Sequence, residues 1–282
     1  MAHTTFTQSG SDQLRTLWDA EFGLDPTEET KIADWVTQPV GAQKFGNALK
    51  LRKIAVATAN SYSPSSTAGL RANLTWNSAT AATVTATAVA RYSATGIERE
   101  LLNQVVDDGN LRNGFKKQLS NILDEAVDTV IFALAPSLSS TVSQASFDDA
   151  MVRTMLKNLA VNAKGKFNED APKLLVVHSN QLANVWNIPA LKEYQIRGKI
   201  GSAVNLQMNA YNTIWRDSGL VNLTGGSYYN PLLLKDAWAL AWNEKPHILD
   251  VQLEGLTENF IAYTSFAACE WFDSSGVVGI TT

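Results

Sequence analysis

Apolar residues at Leu111, Phe115, Leu119, Ile122, Ala126, Val130 and Ala133 recur at steps of three and four. That spacing places side chains on one stripe of an α-helix and predicts a helix over 111–135, about six or seven turns long. Asp107, Asp108 and Asn110 supply N-terminal charge and a cap, and Pro136 stops the helix. A helix of this length with one apolar stripe is a spine on which a sheet packs. The rest of the chain is read around it.

Upstream, residues 1–46 predict an arm rather than a domain. Asp25-Pro26-Thr27-Glu28 has the form of a capping box with Pro at the first helical position, opening a short helix through Val36. Leu14, Leu17 and Trp18 add a small apolar patch, and Gln38-Pro39-Val40-Gly41 breaks the chain. So little apolar surface cannot build a core alone, and the arm is expected to drape over something else. From 47 to 93 the pattern changes. Lys50–Thr58 and Thr83–Ala90 read as strands flanking a Ser-, Thr-, Ala- and Asn-rich tip. The pair predicts an extended hairpin, and a lone hairpin is marginal in water, so it must gain order from a neighbour.

Downstream, Asp148 precedes a helix with Phe147, Met151, Met155 and Leu159 on one face. Lys173–Val177 is a short apolar strand, followed by Ser179 as the expected N-cap of a helix carrying Leu182, Val185 and Trp186. Leu206–Arg216 reads as a further strand, Gly225-Gly226 as a loop, and Leu232–Trp242 as an apolar block. Leu249, Val251 and Leu253 alternate with Asp250, Gln252 and Glu254, the pattern of a half-buried strand. Phe260–Phe272 then makes a long return strand and Val277–Ile280 a short closing one.

Composition changes this picture in three places. Eight tryptophans in 282 residues lean toward subunit contacts, where Trp is favoured. A net charge of −4 with scattered basic residues argues against a grip on nucleic acid through its phosphates. A single cysteine, Cys269, excludes an intrachain disulfide framework and a thiolate metal cluster. The N-terminus has no charged-then-apolar leader pattern, and no apolar run reaches membrane-spanning length, so synthesis is expected inside the cell.

Candidate chemistry is sparse. His178 ends a predicted βα strand, a position where active-site residues often sit, but packing or capping is the favoured reading. Cys269 lies mid-strand among Ala267, Ala268 and Trp271, which reads as plain burial. The acid pairs Glu28-Glu29, Asp107-Asp108 and Asp148-Asp149 each stand where a helix begins, which the helix dipole explains without catalysis. Nucleotide-binding, metal-ligand and nucleophile-elbow patterns are absent, and the Asn73 and Asn222 sequons lack a secretory context. The chain reads as non-enzymatic and without cofactor or metal; an α/β enzyme using His178 is the remote alternative.

The order of parts resembles another class of protein. An arm, a protruding hairpin, a long spine helix, an α/β region and a late strand pair are together similar to the major capsid proteins of tailed bacteriophages, the Hong Kong 97-like fold. Pro172-Lys-Leu-Leu-Val-Val-His-Ser-Asn-Gln-Leu-Ala-Asn-Val-Trp looks like that family's strand-then-helix segment, and Leu234-Lys-Asp-Ala-Trp-Ala-Leu-Ala-Trp-Asn-Glu-Lys-Pro like its C-terminal portion. The resemblance implies an α+β fold with an N-arm at 1–46, an extended E-loop at 47–93, a P-domain at 94–146 and 233–266, and an A-domain at 147–232 and 267–282. It implies a structural subunit that self-assembles through hexamers and pentamers into an icosahedral head around double-stranded DNA, located in the virion, with no membrane partner and no specific DNA binding. Tyr62, Leu70, Leu74 and Trp76 at the hairpin tip would be intersubunit anchors. The chain has no room for the N-terminal scaffolding segment of some members, which implies a separate scaffolding protein or a mature form, beside a portal and a decoration protein. Lys50 and Lys53 lie near the hairpin, but nothing fixes a cross-linking partner for them. An encapsulin-type nanocompartment shell is the alternative on the same fold.

Overall fold

In the computed structural model the spine is one helix, α1, spanning Asp108–Phe132. The structure describes residues 32–39, 43–45, 48–54, 81–98, 108–167, 171–189, 209–211, 213–252 and 257–282. The buried apolar stripe of α1 runs through Leu119, Leu123, Val127 and Ile131, with Phe115 partly buried before them. Each step of four residues overshoots a turn by roughly 40°, so this stripe winds about 160° around the helix between Phe115 and Ile131. Its first half meets Phe260 and Ala262; its second half, with Phe132, enters a different cluster.

The expected stripe is therefore right at Phe115 and Leu119 and out of phase beyond them. Ile122 is 37% exposed, Ala133 is exposed, and Ala126 and Val130 are only partly covered. Two apolar stripes run side by side here, and tertiary contacts select the winding one. The helix also ends at Phe132 rather than Ala135, and Pro136 sits in the short 3-10 turn Ala135–Ser137 that follows.

The strands form three sheets among the described residues. The first is antiparallel: β1 (Gln43–Phe45), β2 (Ala48–Ile54) and β3 (Ala81–Thr87), in that order. The second joins β4 (Val89–Glu98) to the long pair β11 (Trp238–Gln252) and β12 (Thr257–Glu270), with β12 central and α1 against one face. The third is a mixed seven-stranded sheet in the order β5 (Thr141–Gln144), β13 (Gly276–Thr281), β10 (Ser227–Leu234), β6 (Lys173–His178), β8 (Thr213–Ser218) and β7 (Asn209–Ala210), with β9 (Leu223–Thr224) also paired to β10. Its β5–β13 and β6–β8 pairs are parallel.

Helix α2 (Asp149–Ala163) lies over this sheet with Met151, Met155 and Leu159 fully buried beside Phe147. The Asp148 carboxylate accepts the Met151 amide at 2.8 Å, the expected cap. The apolar strand is also as expected, β6 being buried along its whole length. Its exit differs. His178, not Ser179, caps the chain beyond it, and a 3-10 turn precedes the short helix α3 (Leu182–Trp186). Leu206–Arg216 is not one strand within its described part, because Tyr211 takes a left-handed φ of 57° between β7 and β8. The Leu232–Trp242 block is the end of β10 and the start of β11 around a tight turn closed by the Ala237 amide on the Leu234 carbonyl.

β11 also departs from simple alternation. Its register against β12 shifts between Trp242 and Glu244 and again between Glu244 and His247. These irregularities reset which face each residue takes. Ile248 packs with Phe115 and Phe260, while Leu249, read as inward-facing from the sequence, is 51% exposed.

Candidate assembly surfaces

The hairpin is present at its base. β2 and β3 pair from Ala48 with Thr87 to Ile54 with Ala81. Leu51 and Ala86, with Val84 beside them, seat on Ala239, Ala241, Ala267 and Cys269 of β11 and β12. Small side chains on the receiving sheet let the second sheet approach closely. Its tip, with Tyr62, Leu70, Leu74 and Trp76, lies outside the described residues. Cys269 is held in this contact, and burial, then the nearby Glu270, pushes its thiol up to about 11. A thiol so placed stays protonated and is a poor nucleophile.

The same face of β11–β12–β4 continues past the hairpin base with no cover from the described residues. Tyr92, Tyr263 and His247 stand in one row across the three strands, and Ala94, Ile261 and Leu249 in the next. Tyr92 is 75% exposed, and the His247 and Tyr263 rings meet edge-on at 5.8 Å. The opposite face carries Phe260, Ala262 and Ile248 under α1. One side of the sheet is thus core, and the other is half covered by the chain's own hairpin and half an open aromatic and aliphatic surface.

The described part of the arm, 32–39, lies at the junction of the sheets. Its residues 32–36 form a helical turn closed by the Val36 amide on the Ile32 carbonyl. Ile32, Ala33 and Val36 are buried with Val127, Leu174 and Trp238. Asp128, 0% exposed near the C-terminal end of α1, accepts the Ile32 amide at 3.3 Å and the Ala33 amide at 3.0 Å. Asp34 takes a two-pronged ion pair from Arg216 of β8 at 2.7 and 3.1 Å. Thr37 then bridges to Ala239 in parallel, donating its amide to the Trp238 carbonyl and accepting the Leu240 amide. The helix expected through Val36 is here a single turn followed by an extended residue; its start at Asp25 lies outside the described residues.

His178 is committed elsewhere. Its Nδ1 accepts the Asn180 amide at 3.1 Å, its ring lies 4.3 Å from that of Tyr228, and its own amide donates to Asn230 Oδ1. Asn230 continues through Gln181 to Thr281, a buried polar network joining β6, β10 and β13. A cleft of about 290 Å³ beside α2 is lined by Ser146, Asp148, Asp149, Asn184, Asn187 and Pro189. Its acids are already engaged: Asp148 caps α2, and Asp149 pairs with Arg153 and accepts the Tyr211 hydroxyl. Among the described residues no group of three metal-ligating side chains converges, and no helix is long and apolar enough to cross a membrane.

No protein-family model and no curated protein sequence matches the chain. Solved structures do. A chain from Mycobacterium phage Che8 is similar over 99% of this chain and 98% of its own, with a TM-score of 0.67 at 12% identity. The capsid of Ralstonia phage GP4 matches over 94% of each chain with a TM-score of 0.68 at 8% identity. The capsid of Cyanophage P-SCSP1u matches over 93% of this chain and 91% of its own, with a TM-score of 0.65 at 10% identity. Identity this low carries the fold and nothing finer, and the match runs end to end in both directions. The chain has the α+β fold of these phage capsid structures, the fold its sequence resembles.

Proposed function

We propose that this chain is the major capsid subunit of a tailed bacteriophage, self-assembling into an icosahedral head around a double-stranded DNA genome. The observation that carries the reading is the near-complete mutual coverage with the phage capsid chains. The surfaces support it. A hairpin base seated on the body, and an open sheet face beside that base, are features a shell subunit needs and a soluble monomer does not.

In this reading 1–46 is the N-arm, and the hairpin carries intersubunit anchors at Tyr62, Leu70, Leu74 and Trp76. The peripheral P-domain is α1 with β4, β11 and β12, and the axial A-domain is the seven-stranded sheet with α2 and α3. These elements run across the expected borders: β4 begins at Val89, ahead of residue 94, and β5 belongs to the seven-stranded sheet. We therefore draw the borders at strand ends. Hexamers and pentamers would build the shell in the host cytoplasm with a separate scaffolding protein, a portal and a decoration protein. The surface's mild negative charge suits a wall that encloses DNA without gripping it.

Negative-stain electron microscopy with sedimentation of the purified protein tests the proposal. Closed shells or free capsomers are expected. A monomer that stays monomeric with its scaffolding partner present would overturn it. The encapsulin alternative has less support, since the Cyanophage P-SCSP1u and Ralstonia phage GP4 structures that the chain is similar to are phage capsids; a shell that captures a cargo peptide and no DNA would restore it.

A further inference from the structure

We propose that residues 32–39 form a clasp, latched by Asp128, that sets how α1 and its sheet sit against the seven-stranded sheet. The segment is eight residues long, yet it bonds to three separate elements. Asp128 belongs to α1, Arg216 to β8 of the seven-stranded sheet, and Trp238 and Leu240 to β11. Between those polar contacts, Ile32, Ala33 and Val36 fill the core where the two bodies meet. Removing the segment would therefore open a hole at the junction and cut the polar links between α1, β8 and β11 that run through it.

Asp128 is the latch because of where it stands. A carboxylate wholly out of water, on the core side of a helix, is costly unless strong donors meet it. Here each of its oxygens accepts a backbone amide from two successive residues at the start of the arm's turn, where such amides lack partners of their own. An acid this close to a helix C-terminus is opposed by the helix dipole, whereas the arm's amides gain a partner. Asp128 lies in the second half of α1, where the buried stripe leaves the β4–β12 sheet for the junction. The clasp grips the helix at that transfer point. The inference concerns the subunit itself and stands whether or not the assembly reading does.

Hydrogen exchange read by mass spectrometry on the full chain, wild type and variant in the same assembly state, tests it. In Asp128→Asn the amide nitrogen of the new side chain cannot accept, so one of the two bonds is lost. Exchange at Ile32 and Ala33 should rise about tenfold or more, and the Leu240 amide, bonded to Thr37, should speed with them while β10 and β13 keep their protection. Asp34→Asn, at a half-exposed carboxylate, removes the Arg216 pair and should raise the same set of amides by a factor of a few. It decides the matter alone if Asp128→Asn fails to fold. Faster exchange confined to the residues next to each substitution, with Leu240 unchanged, would overturn the clasp. So would an equal loss of protection across all three sheets.

Discussion

The phase of the spine helix can be tested with two neighbouring substitutions. Leu123 is 2% exposed and Ile122 is 37% exposed, so the winding stripe and the straight one make opposite predictions. Leu123→Ala removes three buried carbons from a site walled by Leu119, Phe260 and Ala262. Large-to-small changes of this kind cost about 2–5 kcal/mol, more where the walls cannot collapse. Phe260 and Ala262 are held in the central strand of a sheet, so about 3 kcal/mol is expected after a gain of about 0.2 kcal/mol for alanine's helix propensity. Ile122→Ala gives up partial burial and gains about 0.4 kcal/mol from losing a β-branched residue, a net change within about 1 kcal/mol. At about 2–4 °C per kcal/mol for a chain near this size, the melting temperatures should fall by about 6–12 °C and by under about 4 °C. The assay is thermal unfolding followed by far-UV circular dichroism, repeated over a range of concentrations because assembly raises apparent stability. An Ile122→Ala loss equal to or greater than that of Leu123→Ala would refute the winding stripe.

Four other outcomes are expected. A Cβ on Gly276 would stand 2.8 Å from Leu138 Cδ2 and 3.1 Å from Leu233 Cδ2, two pinned leucines, whereas one on Gly279 would meet only the flexible ends of Met151 and Met155 at 2.8 Å. Gly276→Ala should cost about 1–3 kcal/mol and Gly279→Ala less, and denaturant midpoints in the reverse order would contradict the packing. The Cys269 thiol, raised from 9.0 to about 11, contributes stability that is present below its unfolded pKa and lost as pH rises through the folded value. A pH series should therefore show wild type losing stability relative to Cys269→Ala between about 9 and 11, and thiol reagents should label the native protein far more slowly than the unfolded one. Leu249→Lys, at an exposed position, should leave subunit stability within about 0.5 kcal/mol and reduce shell yield; normal shells would remove the open sheet face from assembly. Trp76→Ala should weaken assembly with secondary structure intact, read by electron microscopy beside circular dichroism, and normal shells would end the anchor role.

What was legible in the sequence divides by physical cause. Helix α2 with its Asp148 cap and its Phe147, Met151, Met155 and Leu159 face, the strand at 173, and the hairpin base all follow from patterns that one element states alone. Two of the misreadings share a form: the element exists and its phase is wrong. In α1 two apolar stripes lie one residue apart, and Asp128 interrupts the one that is buried, so the straight stripe looks cleaner. In β11 the register shifts near Glu244 turn Ile248 inward and Leu249 outward, although the residues beyond still alternate as a strand should. Neither choice is local. The receiving surfaces were quieter still, for Ala239, Ala241 and Ala267 look featureless until a second sheet needs room above them. Asp128 carries no signal of its own in the sequence, because its partners lie 95 and 96 residues away in the arm. A chain whose parts meet through small residues and backbone amides leaves little trace of those meetings in its hydrophobic pattern, so the order of its elements, rather than any single motif, carried the resemblance to a capsid fold.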